Sequence, residues 1–418
     1  MNMKMNRWMI AAAAVGIHIC IGSVYAWSVA ARPVMEEMGM SLSAVTWAFS
    51  LAILFLGLSA GFLGGLAERM GPRRSGLLSA AFFTAGLLGT ALAIFWKSAA
   101  LLYASYGCIG GVGLGIGYIT PVATLVKWFP KSRGLATGLA IMGFGFASLI
   151  AGPLMQYLIS RIGLSGNFLF LAAVYGAVMT LSSLSLRPPR PGEADPAQRL
   201  LPEGMRHGES LLPSAQPQMT RKEALHTRAF AILWVLFFIN ITCGIGLLAA
   251  ASPMAQDRAG MTAAEAAALV GLAGILNGLG RIAWSALSDW IGRGTVYTLF
   301  FVIEAAAFLA LAETESPLLF QGLVLLIVTC YGGGFSCMPA YLSDLFGVRA
   351  LSSIHGCILT AWGAAGIAGP LFLSVMKEMT GGYGETLSVF SVLFLGALAG
   401  SLYLQRKQGR AGKVGAES

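Results

Sequence analysis

A single arginine, Arg281, stands inside a long apolar stretch, and it is the residue of this chain best suited to bind an anion. The next charge toward the C-terminus is Asp289, eight residues later. Eight helical residues span about 12 Å, which places Arg281 near the middle of a hydrocarbon layer about 30 Å thick. A guanidinium keeps its charge and is costly to hold in lipid, so it should face a polar cavity or a partner. If the Arg281 guanidinium faces a cavity, that cavity is a binding site for an anion.

Other polar and aromatic residues in apolar stretches are candidates to complete that site. Asn277 lies one helical turn before Arg281 on the same face, where it could orient the guanidinium, donate to a 2-hydroxyl group, or join two helices. Tyr331 and Phe335 are four residues apart and share a face that could hold the apolar end of a small acid, although plain packing gives the same pattern. The remaining candidates, with the same alternative, are Tyr118, Asn240 and Trp362.

Two titratable residues are candidates for carrying a proton. We interpret His18 as the only histidine in the interior of an apolar segment, and its ordinary pKa of about 6.5 suits a proton carrier. A buried, neutral, hydrogen-bonded histidine is the alternative. Glu304 is a carboxyl group in the middle of another apolar segment, which is typical of a functional residue. The alternative is a protonated glutamate packed against a neighbouring helix.

The composition predicts a membrane protein. Hydrophobic residues make up 56% of the 418 residues and charged residues 11%, whereas a soluble domain averages about 25% charged residues. The net charge of +9 is scattered over segment ends, which argues against a nucleic-acid-binding face. The six cysteines lack metal-ligand spacing, and no nucleophile–base cluster is apparent. We therefore expect no enzyme activity, no cofactor, no metal and no nucleic acid, but a lipid bilayer and a chain that functions as a monomer.

Twelve apolar runs are long enough to cross a bilayer, so we predict an all-α membrane protein with twelve transmembrane helices. A hydrophilic stretch from Arg187 to Arg228 contains seven prolines and is predicted to be a flexible linker. The predicted domains are a six-helix bundle over 1–187, a cytoplasmic linker over 188–228 and a second six-helix bundle over 229–418. The runs lie near residues 8–32, 43–67, 75–96, 99–127, 134–160, 167–186, 229–256, 263–288, 295–313, 317–343, 351–376 and 384–404.

Basic residues predict the orientation. With the N-terminus inside, 21 of the 27 lysines and arginines fall on the cytoplasmic side, which favours cytoplasmic termini in a cell membrane. Lys4 and Arg7 precede an apolar run without a convincing cleavage site, so we interpret it as the first span and not as a removed signal peptide.

Short motifs recur between the two halves. The segment 65–71 resembles 286–292, 150–154 matches 367–371, and Pro121 matches Pro339, at offsets of 221, 217 and 218 residues. Three matches at similar offsets in corresponding spans predict two duplicated six-helix bundles related by pseudo-symmetry.

The segment 64–74, Gly-Gly-Leu-Ala-Glu-Arg-Met-Gly-Pro-Arg-Arg, resembles the loop signature of the major facilitator superfamily. Residues 127–145 resemble the fifth-span signature of monocarboxylate transporters, and the Arg281 region resembles the eighth span of both that family and the oxalate:formate antiporter group. The resemblance implies alternating access, with the substrate carboxylate bound by Arg281. It also implies charged residues that open and close the inner face, here Glu68, Arg69, Arg73, Arg74, Asp289 and Arg293.

Three departures from these families shape the functional prediction. The antiporter's second base, a lysine in span eleven, aligns with Trp362, which favours a monoanion such as lactate or pyruvate over oxalate. The aspartate and lysine that the resemblance assigns to proton coupling in animal monocarboxylate transporters align with Asn277 and Val29. The proton relay of that family is therefore absent here. A proton bound together with the anion would still keep the transport cycle electroneutral, so we predict transport of a small monocarboxylate together with a proton, with carboxylate exchange as the alternative. Proton-driven drug efflux, a sensor and a membrane-bound enzyme are the other classes, and the sequence favours them less.

Overall fold

The computed structural model describes residues 7–190, 193–194 and 218–414, and helices account for nearly all of them. Ten of these helices are long and apolar enough to cross a membrane. Lys4 and five of the seven linker prolines lie outside the described residues. The helices run Arg7–Gly22, Trp27–Met38, Leu42–Phe95, Ala99–Leu102, Gly111–Trp128, Arg133–Ser185, Arg221–Leu225, Arg228–Ala259, Ala263–Ile291, Arg293–Glu313, Pro317–Phe346, Leu351–Thr380 and Gly384–Val414.

Two of the helices are double length. Leu42–Phe95 has 54 residues and Arg133–Ser185 has 53, and at about 1.5 Å per residue each is more than twice as long as a bilayer core is thick. Each is interrupted by one glycine with non-helical angles, Gly71 (φ 76°) in the first and Gly163 (φ 74°) in the second. Each therefore makes two spans. With this division the ten helices supply the twelve predicted spans, which we number 1 to 12 in chain order.

The turns repeat between the halves as the sequence motifs do. Glycines with positive φ end corresponding spans at offsets of 221, 221 and 218 residues: Gly39 and Gly260, Gly71 and Gly292, Gly163 and Gly381. A positive φ is favourable only for glycine, so these pairs record the same turn built twice. We call the end of the bundle with Gly71, Gly292 and the central linker the linker face, and the end with Gly39 and Gly260 the far face.

Two spans depart from regular α-helix in ways that the sequence did not indicate. Span 1 contains a 3₁₀ turn, Ser23–Ala26, between its two helical parts. Span 4 begins with Ala99–Leu102, continues as a π-helix over Tyr103–Gly110 and ends with Gly111–Trp128. Such irregular turns rotate the residues after them around the helix axis and often occur at functional sites. The turn in span 1 carries Tyr25, which matters below.

The two described ends of the linker form hydrogen bonds, whereas most of the segment predicted to be flexible lies outside the described residues. The Trp128 Nε1–H donates to the carbonyl of Arg187 at 2.7 Å, and the Arg187 guanidinium donates to both carboxylate oxygens of Glu193 at 2.6 and 2.9 Å. These hydrogen bonds lower the pKa of Glu193 to about 2. At the other end, a capping box between Thr220 and Glu223 stabilises the N-terminus of a short helix, Arg221–Leu225.

Candidate functional site

Arg281 lies at the centre of the molecule with a fully buried side chain. Its Nε–H donates to Asn277 Oδ1 at 3.2 Å, and its Nη1 donates to the backbone carbonyl of Ile141 in span 5 at 3.4 Å. Its Nη2 has no hydrogen-bond partner among the described residues. Asn277 therefore orients the guanidinium, and one edge of the fork remains free to donate. A buried charge is stable only when its hydrogen bonds are made, so this edge marks a place for an acceptor.

Three aromatic rings surround the guanidinium. Its Cζ atom lies 5.8 Å from the centre of the Phe144 ring and 5.2 Å from that of Phe335, within cation–π range. Trp362 packs edge-on against both rings, at centroid distances of 5.6 and 4.7 Å. Phe144 comes from span 5, Phe335 from span 10 and Trp362 from span 11. The two halves thus form an apolar wall around one fixed positive charge.

Three tyrosine hydroxyls face the same region. The hydroxyls of Tyr25, Tyr118 and Tyr331 are buried, and none forms a hydrogen bond of normal distance and angle with another described residue. The charge of Arg281 acts on all three. Tyr25 interacts with Tyr331 and with Arg281, and Tyr118 interacts with Arg281, but these contacts are not well-directed hydrogen bonds. Together with Arg281 Nη2 the hydroxyls therefore make four buried donors that lack a well-formed hydrogen bond among the described residues. A small anion with several oxygens would satisfy such a set.

Glycines allow the helices to approach closely enough to form this site. A Cβ atom at Gly332 in span 10 would lie 2.5 Å from Asn277 Oδ1, and one at Gly145 in span 5 would lie 2.8 Å from the Cα of Gly278. Either side chain would push span 8 away from its neighbours. The glycines therefore fix where Arg281 sits between the two halves.

Two histidines lie beside Tyr118, and the prediction that His18 is the only histidine inside a span is wrong. The ring of His18 in span 1 is 5.3 Å from that of Tyr118, and the ring of His355 in span 11 is 6.0 Å away on another side. Both imidazoles are fully buried. His355 is only five residues into its span, which is why the sequence drew no attention to it.

The structure does not bring Asn240 and Glu304 to the Arg281 group. The Asn240 amide donates to both carboxyl oxygens of Glu304, at 3.2 and 3.1 Å. Asn240 packs on Gly334, whereas Asn277 packs on Gly332. Two residues along a helix differ by about 200° around its axis, so the two asparagines contact opposite faces of span 10. Asn240 holds Glu304 within the second half, and this pair lies outside the candidate site.

At the linker face, carboxylates from one half bind the beginning of a helix in the other. Glu68 at the end of span 2 accepts from the backbone N–H of Ser353 at 3.2 Å and from its hydroxyl at 2.6 Å, at the start of span 11. Asp289 at the end of span 8 accepts from the backbone N–H groups of Gly134 and Leu135, at 3.0 and 2.9 Å, at the start of span 5. Unpaired N–H groups and the helix dipole stabilise an anion at both places. The two contacts are related by the internal repeat.

A second set of charges reinforces this closure. Arg293 pairs with Asp289 and, through Nε at 3.2 Å, with Asp344 in span 10. Asp344 also pairs with Arg133 of the first half at 3.2 Å. Of the predicted gating residues, Glu68, Asp289 and Arg293 therefore lie in contacts at the linker face. Arg69, Arg73 and Arg74 are exposed, and they form no salt bridge with another described residue.

Several residues of the site escaped sequence reasoning: Tyr25, Phe144, His355, Arg133 and Asp344. Phe144 lies inside the fifth-span signature, which could have drawn attention to it. Tyr25 follows no periodic pattern, because the 3₁₀ turn sets its direction. The pairing of Arg133 with Asp344 joins positions 211 residues apart, which no local pattern reveals.

Comparisons with known proteins agree with this architecture. A family model described as the Major Facilitator Superfamily matches residues 10–370. The oxalate:formate antiporter of Oxalobacter formigenes is 29% identical over 369 residues, covering 87% of this chain and 83% of the antiporter. Monocarboxylate transporter 11 of Mus musculus is 24% identical over 399 residues, covering 93% and 85% of the two chains.

A solved structure shows the same fold. The proton:xylose symporter XylE superposes with a TM-score of 0.73 at 15% sequence identity, and the match covers 96% of this chain and 95% of that protein. At this identity the likeness concerns the arrangement of the helices alone.

Proposed function

Because the chain belongs to the major facilitator superfamily, a group of transporters and not of enzymes, we propose that it moves a small monocarboxylate such as lactate or pyruvate together with a proton. The observation that carries this proposal is a group of four buried donors, Arg281 Nη2 and the hydroxyls of Tyr25, Tyr118 and Tyr331. None of them forms a well-directed hydrogen bond with another described residue. A carboxylate presents oxygens in the geometry that a guanidinium edge prefers. The tyrosines remain available for its other oxygen and for an oxygen on C2.

One fixed charge supports a monoanion. Among the described residues around the site, Arg281 supplies a permanent positive charge, and Trp362 stands where a second base would be needed for a dianion. Two negative charges brought into this apolar surrounding against one guanidinium would leave a buried charge uncompensated, which is unfavourable. Phe144, Phe335 and Trp362 instead offer apolar contact to the short carbon chain of a small acid.

We also propose an orientation and a place in the transport cycle. The bias of basic residues supports a cytoplasmic linker face and cytoplasmic termini. Glu68, Asp289 and Asp344 hold the linker face closed by contacts between the halves, and Arg293 pairs with Asp289 and Asp344 within the second half. The site is buried in this conformation. Substrate would then enter when the far face opens, and breaking the contacts at the linker face would open the site to the cytoplasm.

Carboxylate exchange is the second candidate function. Similarity to an oxalate:formate antiporter supports it, as does the presence of Asn277 and Val29 where the coupling residues of animal monocarboxylate transporters are expected. An exchanger moves anions only against anions. It would therefore show little net uptake into empty vesicles and strong uptake into vesicles preloaded with carboxylate.

The test is uptake of labelled lactate into proteoliposomes, with and without an imposed inward-acid pH gradient. We expect the gradient to drive accumulation, and we expect C2 to C4 monocarboxylates to compete better than the dicarboxylates of equal length. Arg281→Ala should abolish uptake while elution on size exclusion stays unchanged. Uptake that survives this substitution contradicts the role of Arg281, and uptake indifferent to the gradient contradicts coupling to protons.

A further inference from the structure

Two buried imidazoles, one from each half, meet at Tyr118. His18 belongs to span 1 and His355 to span 11, and their rings lie 5.3 and 6.0 Å from the Tyr118 ring. Span 11 is also the helix whose first turn is held by Glu68 of the opposite half, through Ser353. The two rings therefore come together because the linker face is closed. Moving span 11 away from span 2 would carry His355 away from Tyr118.

The hydrogen bonds of His18 leave one nitrogen available for a proton. Its Nδ1 lies 3.0 Å from the backbone carbonyl of Ala14, which can only accept, so Nδ1 carries the hydrogen. In the neutral ring Nε2 is then an acceptor. It forms no well-directed hydrogen bond with a described residue, although the backbone of Tyr118 interacts with the ring. Both ring nitrogens of His355 likewise lack a hydrogen-bond partner among the described residues. Each ring can therefore take up one proton without breaking a hydrogen bond to the protein.

The charges around the rings connect this proton to the anion. Burial itself disfavours a charge on either ring; Arg281 adds to this effect at His18, and His18 adds to it at His355. The other titratable group that faces both rings is Tyr118. No carboxylate is among the groups that act on either ring. An anion that neutralises Arg281 would remove one repulsion, while the repulsion between the rings would still limit the pair to one proton.

We propose that His18 and His355 together form the single proton-binding site of the transporter, filled when a carboxylate binds Arg281. This inference rests on the proposed proton symport. The proton enters on His18 Nε2 in the closed-linker-face conformation. Its transfer to a ring nitrogen of His355 breaks one N–H bond and forms another. The two rings form no hydrogen bond with each other in this conformation, so the transfer requires that they approach each other or that a bound water bridges them. When span 11 swings away, His355 leaves the pair and releases the proton at the linker face.

The test separates proton coupling from substrate transport. In proteoliposomes, counterflow of labelled lactate against internal lactate needs no net proton movement, whereas accumulation under an inward-acid gradient does. We expect His18→Gln and His355→Gln to keep counterflow within about threefold of the unchanged protein and to lose accumulation, so that the internal-to-external ratio falls to about one. His226→Gln is the matched control, because that histidine is exposed on the linker helix and bonds only the Lys222 carbonyl. It should keep both activities.

Proton uptake on binding gives a second readout that does not need vesicles. Purified protein in weakly buffered detergent should take up about one proton per lactate bound, and each histidine variant should take up close to none. Full lactate accumulation by the His355→Gln variant would contradict the proposal that His18 and His355 form the proton-binding site. If the unchanged protein shows no counterflow, the proposed function itself fails; if it shows counterflow and accumulation that both variants retain, only this inference fails. Should one variant not fold, the other carries the test.

Discussion

Arg281 lies about two thirds of the way along span 8, and Arg293 is the first residue of span 9. The two arginines have opposite surroundings. Arg293 pairs with Asp289 and Asp344 and also donates to Ser288. Arg281 has an asparagine and one backbone carbonyl, and one of its nitrogens has no partner within the described ranges. The comparison teaches that burial of a charge does not reveal its task. Arg293 is paired with acidic side chains and stabilises the closed linker face. Arg281 has no acidic partner among the described residues and can therefore bind an anionic ligand.

The sharpest way to break this comparison is to replace each arginine by lysine. Lysine keeps the charge but loses the planar fork, so Arg281→Lys should lose one charge-assisted hydrogen bond to the substrate. Such a bond contributes about 1.5–3 kcal/mol, which corresponds to a loss of about 10- to 100-fold in lactate uptake. Arg293→Lys is the matched variant, and uptake should change by less than about threefold. Equal losses in both variants would mean that the two arginines do not differ in task.

The second prediction adds a base where the site has none. Trp362→Lys would place a second cation beside Arg281, so oxalate should become a better ligand. We expect the oxalate concentration that halves lactate uptake to fall about tenfold, equivalent to about 1.4 kcal/mol. Trp362→Phe is the control, because it keeps an aromatic contact with Phe335 without adding charge. A folded lysine variant that stays indifferent to oxalate would show that the aromatic wall, and not the charge count, selects the ligand.

The sequence was sufficient for the properties that depend on one helix. The spans follow from apolar length, Gly71 and Gly163 end the helices where hydropathy weakens, and Asn277 meets Arg281 because four residues make one turn. The sequence did not predict which side chains meet when that depends on how one helix is rotated about its axis relative to another. Asn240 was expected beside Arg281, yet it contacts the opposite face of span 10, because the rotation of span 7 is set by packing. Tyr25 escaped notice because a 3₁₀ turn redirects it.

The third prediction concerns the removal of one of the two acidic partners of Arg293. Asp344 pairs with Arg133 of one half and Arg293 of the other, so Asp344→Asn should favour opening of the linker face. A partly exposed ion pair contributes about 1 kcal/mol, which corresponds to a shift of about fivefold between conformations. The measurement is the rate of maleimide labelling of Cys357 as the sole cysteine, since that thiol is buried against Gly61 of span 2.

Asp257→Asn is the matched control for that experiment. Asp257 pairs with Lys377 at 3.0 Å on the far face, and both residues belong to the second half. Its removal should leave the labelling rate unchanged. A rate that rises equally in both variants would indicate general loosening of the protein in place of opening at the linker face.

The smallest expected effect comes from another buried titratable group, Glu304, and it sharpens the same distinction. Its carboxyl group is already held by the Asn240 amide, while Asn240 Oδ1 has no partner among the described residues. A glutamine at 304 can accept from Asn240 Nδ2 and donate to Asn240 Oδ1, so Glu304→Gln keeps the pair. Lactate accumulation under an inward-acid gradient should change by less than about twofold, the range of one exposed or exchanged hydrogen bond. If accumulation disappears while counterflow persists, the proton is carried by Glu304, and a satisfied buried group can be functional after all.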